Sequence, residues 1–216
     1  VTTAATTSCA TIPEETGGPF PGDGSNGKNI LTQAGVVRQD IRSSIGSASA
    51  TAKGVPLTIE FTILDNAKGC APIPGAAVYV WHCDRDGQYS MYSQGVTNEN
   101  YLRGVQAADS NGKVSFTSIF PGDYAGRWPH IHFEVYPDVA TALTGKGILA
   151  TSQIALPKDA CQTVYATDGY AQSTKNLAGI SLATDNVFAD DGGVHQLATM
   201  SGTVSAGLTA ALSVAV

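Results

Sequence analysis

Between Leu57 and Asp65 the chain reads LTIEFTILD, with Leu57, Ile59, Phe61 and Ile63 at every second position and Thr58, Glu60 and Thr62 between them. Side chains of a strand alternate faces with a period of two, so this run predicts a strand with one face in a core and the other toward water. The alternation returns in KVSFTSI at Lys113 to Ile119, after the turn residues DSNG, and again in Gly147 to Leu156. Ala76 to His82 predicts a further strand, ended by the Asp-Gly turn signal of CDRDGQY. Two closing strands are expected in Val194 to Met200 and Thr203 to Val214, where the ending LSVAV alternates. Ser93 to Ala108 and Asp168 to Thr184 read as loops, and Asp138 to Thr144 and Lys158 to Ala166 as short helices. About seven short strands separated by turn signals predict an all-β fold, an antiparallel β-sandwich with long loops and one or two short helices.

The stretch richest in chemistry is PGDYAGRWPHIHFEVY, Pro121 to Tyr136. Period two sends Ile131, Phe133 and Val135 into the core and leaves His130 and His132 together on the opposite face. Two imidazoles side by side on a rigid element make half of a metal site. Tyr124 and Arg127 precede them in a Pro-Gly loop, and Tyr89 follows a separate turn that could bring its phenol nearby. Zinc prefers thiolate, imidazole and carboxylate, whereas hard, anionic phenolates beside two imidazoles suit ferric iron. Two phenolates leave Fe(III) one residual positive charge, which a hydroxide can neutralise, and the ion would draw both phenols far below their ordinary pKa of about 10. The plainer alternative is a chance His pair among ordinary tyrosines, with Arg127 in a surface salt bridge to Asp123 or Asp138.

Composition narrows the class. A chain of 216 residues fits one sandwich, with residues 1–8, VTTAATTS, as a flexible leader and 9–216 as a single domain. A net charge of -6 with 14% charged residues excludes nucleic acid and an anionic membrane surface as partners. No run of about twenty apolar residues predicts a membrane span. Cys9, Cys70, Cys83 and Cys161 are widely spaced with no C-x-x-C pair, which suggests disulfides and a secreted or extracytoplasmic setting, with three pairings open and free buried cysteines as the alternative. No signal peptide is visible, so in an exported protein Val1 would lie downstream of a removed segment. GGPFPGDGSNG, at 17–27, cannot be helical and must be held by tertiary contacts or be disordered.

Four segments now combine. W-H-C-D-x-D-G-x-Y-S at Trp81 to Ser90 and P-G-x-Y-x-G-R-x-P-H-I-H-F at Pro121 to Phe133 resemble the intradiol ring-cleavage dioxygenases, particularly their extracellular branch. P-E-E-T-x-G-P-F at Pro13 to Phe20 and the closing V-F-A-D-D-G to A-L-S-V-A-V region are also similar to that family, so the resemblance covers nearly the whole chain from Cys9. It implies that Tyr89, Tyr124, His130 and His132 are the four protein ligands of a non-haem Fe(III), with Tyr124 and His130 axial and Tyr89, His132 and a hydroxide equatorial. It places Arg127 beside the substrate ring as a catalytic cation, Gln153 near the iron, and Gly18, Pro19 and Phe20 along the substrate pocket. The implied reaction is cleavage of a catechol-type aromatic diol by O2 to a cis,cis-muconate-type diacid, with Tyr124 accepting a substrate proton. Gly17 replaces the acidic residue often found before the Gly-Pro pair, and only two residues separate Tyr124 from Arg127, which implies a more open site. The preferred catechol and the oligomeric state stay open. Two rival readings are a non-catalytic secreted β-sandwich that binds a ligand, and a hydrolytic zinc or copper protein, which would leave both tyrosines unexplained.

Overall fold

The computed structural model describes residues 9–216, and the expected leader at 1–8 lies outside the described residues. In chain order the strands are β1 (Pro56–Asp65), β2 (Ala71–Pro72), β3 (Ala77–Trp81), β4 (Arg103–Ala107), β5 (Lys113–Ile119), β6 (His130–Tyr136), β7 (Ala150–Ala155), β8 (Thr199–Thr203) and β9 (Gly207–Ala215). Three short helices, α1 (Val139–Ala142), α2 (Lys158–Tyr165) and α3 (Ala171–Leu177), lie between β6 and β8.

The strands form two sheets. In the first, β1 is central, with β5 and the short β2 along one edge and β9 then β8 on the other. The second runs β4, β3, β6, β7. All ladders between strands are antiparallel except β1 with β9, which run parallel from Leu57 opposite Leu208 to Leu64 opposite Ala215. The alternation of β1 is realised as read: Leu57, Ile59, Phe61 and Ile63 are buried and Glu60 is exposed. Their inner face meets Val78, Val80, Ile131, Phe133 and Val135 of the second sheet in one core. The Phe61 and Phe133 rings approach to 5.0 Å across the two layers. Each such ring contributes about 1.5–3 kcal/mol by leaving water.

The second sheet differs from the first because both its faces are covered. Every residue of β3 and β6 is buried. Its outer face carries Tyr79, Trp81 and Tyr136, against which Ile30, Leu31 and Val36 of the N-terminal segment pack. That explains a strand the pattern hides: β4, RGVQA, contains a glycine and a charged residue and reads as loop, yet Arg103, Gly104 and Val105 are buried beneath the N-terminal segment. Helix α3 is likewise absent from the sequence pattern, being six polar or small residues followed by Leu177, with only Ser173 and Leu177 buried. The penultimate strand lies at Thr199–Thr203 rather than Val194 to Met200, with Val194 67% exposed in a turn.

The Gly/Pro-rich segment is held by tertiary contacts, Gly22 N–H donating to the Tyr92 hydroxyl at 3.0 Å and Pro21 C=O accepting from Arg103 at 2.9 Å, and the arm before it is anchored too. Cys9 is bonded to Cys70, Ile12 N–H donates to Ala215 C=O at 2.9 Å, and Glu15 N–H donates to Thr151 C=O at 2.7 Å. The arm thus crosses from the first sheet to the edge of the second. Cys83 and Cys161 are free and buried. The four cysteines therefore form one disulfide.

His82, just past β3, pins the two sheets together. Its Nδ1 lies 2.7 Å from Cys83 C=O and its Nε2 2.7 Å from the Ser118 hydroxyl of β5. Burial pushes its pKa down to about 4, against the opposing pull of the Cys83 carbonyl. The folded ring is therefore neutral, while in the unfolded chain it takes a proton near the ordinary value of about 6.5. Stability from this site should be complete above that value and fall by about 3 kcal/mol as pH drops through the window to the folded pKa. Urea unfolding of wild type and His82→Gln between pH 7 and pH 4 should show the wild-type midpoint falling more steeply.

Candidate metal centre

His130 and His132 lie on the outer face of β6, with Ile131, Phe133 and Val135 in the core behind them. Tyr89 follows the Asp-Gly turn after β3, and Tyr124 sits in the loop between β5 and β6. Gly87 of that turn has φ +78, and a Cβ there would come within 3.2 Å of the Tyr124 Cβ. This close glycine contact brings the two phenol-bearing loops together.

Four polar atoms converge. His130 Nε2 lies 3.1 Å from His132 Nε2, 3.2 Å from the Tyr124 hydroxyl and 3.4 Å from the Tyr89 hydroxyl. The two hydroxyls are 3.4 Å apart. With metal–ligand bonds of about 2.1 Å, neighbouring donors around one ion stand roughly 3 Å apart, so these spacings suit a shared cation.

The donors are prepared for a cation. Burial pushes the His130 pKa down to about 3 and that of His132 well below its ordinary range, so both imidazoles are neutral with a lone pair free. His130 Nδ1 lies 2.5 Å from Trp128 C=O, which fixes the proton there and leaves Nε2 bare. His132 is oriented by stacking on Trp81, with ring centroids 5.0 Å apart and planes 5° from parallel. Burial pushes the Tyr124 phenol up to about 12 and Tyr89 well above its ordinary value. In such a pocket only a cation makes the phenolates favourable, and a ferric ion does so most strongly. Among the described residues no group of three or more His, Cys, Asp or Glu could hold a metal. The phenols complete the set, and the donors fit Fe(III).

Helices and arm hold these pieces in place. Gly122 N–H donates to Asp84 C=O at 2.9 Å, Asp123 N–H to Ser173 Oγ at 2.9 Å, and Asn176 Nδ2 to Asp123 C=O at 2.7 Å. Helix α3 thereby anchors the loop that presents Tyr124. Gly18, at φ +69, lies against His132, where a Cβ would come 3.3 Å from its Cε1. Phe20 packs on Tyr89 at 5.0 Å and on Tyr92 at 5.2 Å between centroids. Pro19 is exposed at the edge, its carbonyl accepting a bond from Asn26 Nδ2 at 2.9 Å.

Arg127 does not pair with Asp123 or Asp138. Its Nε donates to Asp185 Oδ2 at 2.9 Å, one terminal nitrogen donates to Gln153 Oε1 at 2.6 Å, and the other lies 3.3 Å from His130 Nε2. Gln153, opposite His132 in the β6–β7 ladder, also donates to Thr16 C=O at 2.9 Å. Asp185 escaped the sequence reading. Burial pushes its carboxyl up, but the Arg127 bond and the amides of Trp128 and Val187 outweigh that and hold it below the usual range. The local signal is an Asp followed at two and three residues by amides it accepts from, those of Val187 and Phe188.

Residues 33–159, more than half of the chain, match the Dioxygenase family, Dioxygenase_C. The chain is similar to the intradiol ring-cleavage dioxygenase of Tetranychus urticae at 25% identity and TM-score 0.73, over 96% of this chain and 94% of that one. The dioxygenase domain of a dioxygenase carbohydrate-binding protein fusion from Streptomyces sp. SirexAA-E shares the fold, with TM-score 0.60 at 20% identity over 96% and 98% of the two chains. A chlorocatechol 1,2-dioxygenase of Rhodococcus opacus is 40% identical over 53 residues, 24% of this chain and 21% of that protein. This chain belongs to the intradiol ring-cleavage dioxygenase family. The aligned parts span well under two thirds of the curated relatives' length, 21% and 17% for two of them.

Two substitutions probe the centre. Gly18→Ala should cost about 1 kcal/mol of stability through its left-handed backbone alone, and should weaken Fe(III) uptake by displacing His132, read by thermal unfolding and metal titration. Asp185→Asn removes the charged partner of Arg127 and should lower stability by about 2 kcal/mol above the ordinary pKa of about 3.9 that the carboxyl has in the unfolded chain. That loss should shrink as pH falls from there to the lower folded value, because the unfolded chain takes up the proton first, as denaturant midpoints would record.

Proposed function

We propose that this chain is a non-haem Fe(III) intradiol dioxygenase that cleaves catechol-type aromatic diols with O2 to cis,cis-muconate-type diacids. The observation that carries the reading is the convergence of the Tyr89 and Tyr124 hydroxyls with His130 Nε2 and His132 Nε2 at 3.1–3.4 Å on one sheet face. These four residues would hold the ion, which when bound supplies Lewis acidity that ionises a catechol and activates its ring toward O2.

The remaining roles follow from the chain's own groups. Tyr89 is buried and Tyr124 half-buried, so Tyr124 is the phenol an incoming diol reaches. Ionised once the cation is bound, its phenolate is placed to take a substrate hydroxyl proton. Arg127, held on one edge by Asp185 and Gln153, directs its free edge at the donor cluster, where it stabilises negative charge developing on the ring. Gly18 and Phe20 wall the approach, the first by leaving room beside His132 and the second by presenting a ring to a flat substrate. Pro19 stiffens the turn between them. The Cys9–Cys70 disulfide supports an extracytoplasmic setting, and no helix among the described residues is long and apolar enough to cross a membrane.

The test is a visible spectrum of Fe(III)-reconstituted protein before and after anaerobic catechol. A tyrosinate-to-iron charge-transfer band that shifts on catechol addition is expected; a protein that stays colourless overturns the reading. Arg127→Leu should keep iron and colour while kcat falls about 10²-fold to 10³-fold.

A further inference from the structure

Arg103 stands out among the charged side chains because it is 1% exposed and is bonded only to neutral oxygens. Its Nε donates to Ser90 Oγ at 3.1 Å and one terminal nitrogen to Ser90 C=O at 3.0 Å. The other terminal nitrogen donates to Phe20 C=O and Pro21 C=O, each at 2.9 Å, and to the Tyr79 hydroxyl at 3.4 Å. A buried guanidinium with no carboxylate beside it is costly, and a chain keeps one where its planar fork does what a neutral side chain cannot.

The fork joins two segments that lie far apart in sequence. Ser90 follows Tyr89, and Phe20 is the ring packed on Tyr89. Arg103 itself is fixed by strand β4, opposite Trp81, which in turn lies opposite His132 in β6. One row across the sheet therefore runs from the fork through the indole to a metal-donor imidazole.

Four further features converge on the same place. Met91 at φ 71 and Leu102 at φ 58 are non-glycine residues in left-handed backbone at the two ends of the 90–103 loop, conformations that persist only where surrounding bonds over-determine them. Ser90 Oγ, besides accepting from Arg103, donates to Tyr101 C=O at 2.7 Å and closes the loop on itself. Gly22 has φ +66, and a Cβ there would lie 2.9 Å from an Arg103 terminal nitrogen, so the arm is shaped to the fork. Tyr92 completes the arrangement, its ring beneath the guanidinium at 5.4 Å and its hydroxyl accepting from Gly22 N–H at 3.0 Å.

We propose that Arg103 is a positioning residue that locks the Phe20 pocket wall to the Tyr89-bearing loop, setting the distance between substrate wall and metal donor. The proposal deepens the dioxygenase reading and rests on it for its catalytic consequence. Its geometric content does not depend on iron.

The experiment has two arms. In metal-free protein, amide hydrogen exchange of Arg103→Lys, which keeps the charge and loses the fork, should rise at least tenfold in peptides covering 18–24 and 89–93, with peptides of β1 unchanged. In iron-reconstituted protein the same variant should move the tyrosinate charge-transfer maximum and raise KM for catechol at least tenfold, with a smaller effect on kcat. Ser90→Ala removes one of the five bonds, together with the Ser90 bond to Tyr101 C=O, without touching the buried charge. It keeps the test available if the Arg103 variant does not fold, and should raise exchange in the same two segments to a lesser degree. Unchanged exchange there in a folded variant, or a uniform rise over the whole chain, overturns the proposal. A wild-type protein that takes up no iron would sink the dioxygenase reading alone, leaving the exchange arm to decide the clamp.

Discussion

Strand β6 has to satisfy two surfaces at once. Its odd-numbered residues close the core between the sheets, and its even-numbered residues face a second buried layer made by the N-terminal segment and the loops. A one-residue slip would put two imidazoles into the core and an isoleucine and a phenylalanine into the polar cluster. The hydrophobic demand of the core therefore fixes, to within one residue, where His130 and His132 can stand. Everything else at the site is arranged around that register: Trp81 stacks on His132 from the neighbouring strand, Gly18 leaves room over it, and Gln153 lies opposite it.

Around this fixed pair the centre is assembled from segments far apart in the chain, each restrained by its own bonds. The Tyr124 loop hangs from Asp84 and α3, the Tyr89 loop from Arg103, the arm from the disulfide and the edge of β7, and Arg127 from Asp185. The electrostatic logic is consistent throughout. Burial keeps the imidazoles neutral and the free phenols protonated, an arrangement that fits the proposed cation, which would reverse the preference of the phenols.

The family match and the candidate site residues coincide along only part of the chain. The matched span, 33–159, holds Tyr89, Tyr124, Arg127, His130, His132 and Gln153. Gly18, Phe20 and Asp185 lie outside it. The proposed donor set thus sits in the matched part, whereas the proposed pocket wall and the anchor of Arg127 come from the flanking segments, which pack on those side chains in three dimensions.

The sequence by itself determined the sandwich class, the β1, β5 and β6 patterns and the face carrying the two histidines, because period-two alternation encodes which side of a strand is wet. The motif order also picked out Tyr89 and Tyr124. The pattern could not show β4 or α3, since Arg103 and Gly104 are buried by a segment some sixty residues away or more, and α3 is kept by contacts rather than by an apolar stripe. It could not pair the cysteines or find the partner of Arg127, because both depend on which distant loops meet. Local periodicity is set by neighbours along the chain. The Cys9–Cys70 bond, the parallel β1–β9 ladder, the Asp185 ion pair and the Arg103 fork are set by neighbours in space, and only the tertiary structure decided those.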